Sequence, residues 1–120
     1  MGKASVAGSY IGTHVIEASV SNNAIQSGDD SAGQIYSVYI DNTSNNEAMY
    51  LKIFEAASPT LGTNDPSFLF SVAASSTIQY DFPQGIDYTT ALTFACVKEN
   101  ADTGTTGPDS AMIVRITINT

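Results

Sequence analysis

His14 and Cys96 are the only histidine and the only cysteine in the chain, so they are the first residues to weigh for chemistry. A nucleophilic cysteine needs a base beside it, and no short spacing joins these two. His14 alternates with Ile16 and Val20, which reads as a strand histidine that packs or hydrogen-bonds. Cys96 shares a strand face with Leu92 and Phe94. A thiol packed there acts as a small hydrophobe and stays protonated. A zinc site needs more imidazoles or thiols, and the chain has neither His-x-x-x-His nor Cys-x-x-Cys spacing. It also lacks the Gly-x-Ser-x-Gly elbow of a hydrolase.

The acids and aromatics offer little more. A glycosidase needs two carboxyls about 5–10 Å apart, a spacing that only the fold can supply. Asp29-Asp30 and Asp65 are conceivable calcium ligands, but no EF-hand loop is present and aspartate more commonly caps turns. Tryptophan is absent. Tyr36, Tyr39, Tyr50, Tyr80 and Tyr88 could stack sugars, although in strands such residues usually border the core. No glycine-rich phosphate loop precedes a helix. These residues predict no enzyme, no cofactor and no metal site.

The elements that would position any site are strands. Alternating faces mark Thr13–Val20, Gln34–Asp41, Ala48–Glu55, Phe68–Val72, Thr77–Phe82, Leu92–Val97 and Ala111–Asn119. In the second of these, Tyr36, Val38 and Ile40 share a face. In the third, Met49, Leu51 and Ile53 face the core, while Tyr50, Lys52 and Phe54 point outward or toward a neighbouring layer. Ser21–Gly33 reads as a polar loop, and Pro83-Gln84-Gly85 as the stop of the fifth strand. Seven to eight strands with turn signals between them and no amphipathic helix predict an antiparallel, jelly-roll-like β-sandwich.

Residues 1–12 are small and Gly-rich, with Tyr10 and Ile11 near their end. They read as a flexible arm that could order on a neighbour, ahead of a single sandwich domain over residues 13–120. One internal echo stands out. Gly62-Thr63-x-x-Pro66 precedes the fourth strand and Gly104-Thr105-x-x-Pro108 the seventh. The echo reads either as two similar turns or as two related loops at one end of the sandwich that form a contact surface. Tyr10, Ile11, Gly62, Pro66, Gly104 and Pro108 are therefore the candidate contact residues.

Composition fits this reading. The 120 residues include 14 Ser, 13 Thr and 8 Asn, while charged residues make up only 13%. A helical bundle would be richer in Glu, Lys, Leu and Arg. Twelve acids against four bases give a net charge of −8. Lys3, Lys52, Lys98 and Arg115 are scattered, so neither a phosphate backbone nor an anionic membrane is an expected partner. A single cysteine allows no intrachain disulfide. No signal-peptide or membrane-spanning run appears, and the expectation is synthesis and folding in a cytoplasm.

From Ala48 onward the chain resembles small β-sandwich structural proteins of tailed bacteriophages. The resemblance rests on Met49-Tyr50-Leu51-Lys52-Ile53-Phe54-Glu55-Ala56-Ala57-Ser58 and Leu61-Gly62-Thr63-Asn64-Asp65-Pro66. It continues through Phe82-Pro83-Gln84-Gly85-Ile86-Asp87-Tyr88, Ala91-Leu92-Thr93-Phe94-Ala95 and Val114-Arg115-Ile116-Thr117-Ile118. It implies a non-enzymatic virion component, foremost a capsid decoration or cement protein. Such a protein is a homo-oligomer, often a trimer, on the major capsid protein at the capsid surface. A tail, fibre or host-attachment module and a carbohydrate-binding sandwich are the alternatives.

Overall fold

Alternating Val, Ile, Phe, Tyr and Thr build eight strands in a computed structural model that describes residues 13–22, 26–29 and 31–119. They are β1 (Thr13–Val20), β2 (Gln26–Asp29), β3 (Gly33–Asp41), β4 (Met49–Phe54), β5 (Phe68–Val72), β6 (Thr77–Tyr88), β7 (Leu92–Val97) and β8 (Met112–Asn119). No helix occurs among the described residues. One sheet has the order β1-β8-β3-β6 and the other β2-β7-β4-β5. Every neighbouring pair is antiparallel. Apart from the β4–β5 pair, each connection crosses between sheets. This is the connectivity of a double Greek-key jelly roll.

The core lies between the sheets. Val38, Ile40, Val114, Ile116 and Ile118 meet Leu51, Ile53, Leu92, Phe94 and Cys96 there. Each of these residues is fully buried. Alternation places them inward, as expected for β4, β7 and β8.

Three local readings change. The segment read as a loop over Ser21–Gly33 contains β2, a four-residue strand on the edge beside β7. Its composition hid it, because Gln26-Ser27-Gly28-Asp29 has no large apolar residue to alternate. In β3 the register slips between Ile35 and Ser37 against both neighbours, leaving Tyr36 as a bulge. The bulge inverts the alternation, so Ile35 rather than Tyr36 joins Val38 and Ile40 in the core. Pro83-Gln84-Gly85 does not stop a strand: β6 runs through it to Tyr88. An edge strand tolerates a proline there because one side of it needs no donor. Gly85 takes φ +79°, and an added Cβ would sit 3.2 Å from the Tyr36 ring. The β3 bulge and the β6 distortion are therefore two halves of one irregularity.

Candidate functional site

Lys52 organises a surface made of loops. Its neighbours Leu51 and Ile53 face the core, so its side chain leaves β4 on the other side of the sheet. It is nevertheless 0% exposed. Its Nζ donates to the carbonyl oxygens of Ala101 at 2.8 Å, Asp102 at 3.0 Å and Gly104 at 2.9 Å. An ammonium has three N–H groups, and all three are used. Burial pushes the Lys52 pKa below the ordinary lysine value, with Asp102 and Glu99 acting in the opposite sense. Of the two directions open to Lys52 in the sequence, the neighbouring layer is the one taken. That layer consists of loops.

Two loops form it. Thr93, on the outer face of β7, donates from Oγ1 to the Ala56 carbonyl at 2.9 Å and so anchors the 55–67 loop. Lys52 holds the 98–111 loop. Glu99 Oε1 accepts from the Thr106 amide at 3.1 Å, and hydrogen bonding to the Thr106 side chain, with a smaller backbone contribution, lowers the Glu99 pKa. Asn22 Nδ2 donates to the Thr105 carbonyl at 2.5 Å. The loops also touch each other: a Cβ on Gly62, which has φ +88°, would lie 2.6 Å from Thr105 Cγ2. The two Gly-Thr-x-x-Pro segments thus meet. They do so across the outer face of the β2-β7-β4-β5 sheet, not at one end of the sandwich as their spacing suggested. Gly62, Pro66, Gly104 and Pro108 are half-buried within this layer, while Thr63, Asn64, Asp65, Asp102 and Thr103 are exposed on it. Tyr10 and Ile11 lie outside the described residues.

A second set of buried polar groups ties three turns together. Asn42 Nδ2 donates to the carbonyls of Glu47 at 2.9 Å and Ala73 at 3.1 Å. Asn45 Nδ2 donates to Asn42 Oδ1 at 2.9 Å and to the Ser110 carbonyl at 2.8 Å, and Asn45 Oδ1 accepts from the Ser110 amide at 2.9 Å. Ser75 N, from a residue at φ +54°, donates to the Asn45 carbonyl at 2.8 Å. Both asparagines are buried. The sequence marked Asn42–Asn46 only as a turn. The surplus of asparagine over what a turn needs was the available signal. Beside this knot is an open depression of about 290 Å³ lined by Thr43, Ser44, Asn45, Asn46, Ser75 and Asp109. Its one carboxylate, Asp109, pairs with Lys98 at 3.1 Å. The depression therefore offers hydroxyls and amides but no base or nucleophile pair.

The remaining candidates are engaged elsewhere. Cys96 is buried in the core, and burial holds its thiol well above the ordinary pKa. His14 pairs through its backbone with Ile118 in the β1–β8 ladder. Asp29 Oδ2 accepts the Tyr88 hydroxyl at 2.7 Å and so links β2 to β6. Asp30 lies outside the described residues, and Asp65 is exposed. No group of three or more His, Cys, Asp or Glu able to hold a metal ion occurs among the described residues. Tyr36 and Tyr88 are buried. Tyr80 donates to the Ser71 carbonyl at 2.6 Å, and Tyr39 lies under the Arg115 guanidinium at 5.1 Å. The described tyrosines therefore form no exposed row for sugar stacking. Each described cation is also held internally: Lys52 by carbonyls, Lys98 by Glu47 and Asp109, and Arg115 by Glu17. Neither the protein-family models nor the curated proteins searched match this chain.

Proposed function

We propose that this chain is a non-enzymatic structural protein of a virion, a decoration protein that seats on the head lattice of a tailed phage and reinforces it. The observation that carries the reading is the loop layer fixed by Lys52, a surface held from within by three hydrogen bonds to backbone carbonyls. A preformed surface docks without the cost of ordering its loops. A protein that binds only the assembled shell stabilises it by mass action, and a lattice multiplies each contact. Jelly-roll connectivity suits this role, being used by viral capsid and lectin domains. A fold alone does not assign a function, and the resemblance of residues 48–120 to phage sandwich proteins adds its weight here.

The partners are the major capsid protein and further copies of this chain, at the outer surface of a shell assembled in a host cytoplasm. An anionic surface whose described cations are already engaged suits neither a nucleic-acid backbone nor an anionic membrane. The test uses empty heads built from the cognate major capsid protein, heated with and without saturating protein. The expected result is a rise of several degrees in the temperature at which shells break. It should be reduced by Thr63→Arg and Thr103→Arg, two exposed positions of the loop layer. An unchanged breakage temperature contradicts the proposal.

A further inference from the structure

The jelly roll has four edge strands, β1 and β6 in one sheet and β2 and β5 in the other. An edge presents unpaired backbone groups, and soluble proteins blunt it with prolines, bulges, charges, short strands or covering groups. Three of the four edges carry such devices. β2 has four residues and an irregular register between Ser27 and Asp29. β5 has five residues, and its Ser71 carbonyl accepts the Tyr80 hydroxyl. β6 carries Pro83, Gly85 at positive φ, a broken register, and Asp81 and Asp87.

β1 is neither short nor bulged and carries a single charge. Its eight residues pair with β8 in one unbroken register, from Thr13↔Asn119 to Val20↔Met112. It contains no proline, glycine, lysine or bulge. No described strand pairs with its other side. Val15, on its outer face, is 57% exposed, the highest value among the large hydrophobic residues described. Its one charge, Glu17, pairs with Arg115 on the neighbouring strand. In a molecule of net charge −8, this edge is locally neutral.

We infer that β1 is an assembly edge and that its occupant is β1 of a second copy, paired antiparallel about a two-fold axis. A second copy brings a strand of the same length and regularity, and its neutral Glu17–Arg115 pair lets two acidic molecules approach. Residues directly opposite must share a sheet face, so the two strand numbers in each pair sum to an even value. An axis at Glu17 would set two carboxylates face to face. An axis at Ile16 pairs Thr13 through Ser19 end to end and lays Val15 against the Glu17 stem. The product is one continuous sheet, β6-β3-β8-β1-β1-β8-β3-β6. This inference rests on the homo-oligomeric part of the proposed function and replaces the implied three-fold contact with a two-fold one.

Sedimentation equilibrium over a wide concentration range, with amide exchange by NMR, tests it. The expected result is a monomer–dimer equilibrium in which alternate β1 amides become protected as the dimer forms. Glu17→Lys leaves two cations beside each other on each edge and sets the new side chains of the two copies about 7–8 Å apart. It should weaken the dimer at least about tenfold, with recovery in high salt. Glu17→Lys combined with Arg115→Glu restores a neutral pair and should restore the dimer, which separates repulsion from misfolding. Asp81→Lys, on the opposite edge, should leave the mass unchanged. A monomer at millimolar concentration, a trimer, or a dimer indifferent to Glu17→Lys overturns the inference. Head stabilisation, read separately, would be untouched by any of these results.

Discussion

A buried lysine satisfied only by backbone carbonyls is the residue on which the loop layer depends. Replacing Lys52 with Met strands the carbonyls of Ala101, Asp102 and Gly104 over an apolar surface. We expect Lys52→Met to cost about 2–4 kcal/mol in urea unfolding, with lost amide protection concentrated in residues 98–111. The buried thiol and phenol set the alkaline limit. Cys96 and Tyr88 both have folded pKa values raised above their ordinary values of 9.0 and 10.0, chiefly by burial. Unfolding would let them ionise, so their contribution to stability is intact below those values and is lost as pH climbs past them. Lys52 acts in the opposite sense. Its lowered folded pKa means that its burial cost is relieved as pH rises toward 10.5. Subtraction isolates the thiol. Between about pH 9 and pH 10, Cys96→Ala should lose stability less steeply than the natural chain, by up to about 1.4 kcal/mol per pH unit. Equal slopes would place Cys96 outside the core.

At the scale of elements, turns and loops are fixed by groups that a strand pattern cannot display. Asn45→Ala removes three hydrogen bonds made by a buried amide and leaves the Ser110 N–H without its acceptor. The expected cost is about 2–4 kcal/mol in thermal or urea unfolding. Gly62→Ala faces both a left-handed φ and a 2.6 Å clash with Thr105 Cγ2, and should cost about 1–3 kcal/mol. Adding Thr105→Ser should recover the steric part and leave the backbone part. The strands themselves were legible because period-two alternation is a local signal: Met49, Leu51 and Ile53, or Met112, Val114, Ile116 and Ile118, state their own facing. The bulge at Tyr36 was not legible, because it depends on how β6 passes Pro83 and Gly85 some 50 residues later. The meeting of the two Gly-Thr-x-x-Pro loops was half legible. Their kinship could be read, but their position over the sheet depends on Lys52, whose partners are backbone atoms with no sequence signature.

At the scale of the whole molecule, the two sheets present unlike outer faces. One is covered by two loops that touch at Gly62 and Thr105, one anchored by Thr93 and the other by Lys52. The other shows side chains such as Val15, Glu17, Gln79 and Asp81 to solvent and ends in the regular β1 edge. This division suggests a division of labour, with the loop layer against a shell and the β1 edge against a second copy. On the proposed function, assembly is the property to measure. The most direct measurement mixes purified protein with empty, undecorated heads and pellets them over a range of protein concentrations. Saturable co-sedimentation is expected at a fixed number of copies per lattice position, reduced by Thr63→Arg and Thr103→Arg. Protein that stays in the supernatant at every concentration would contradict it.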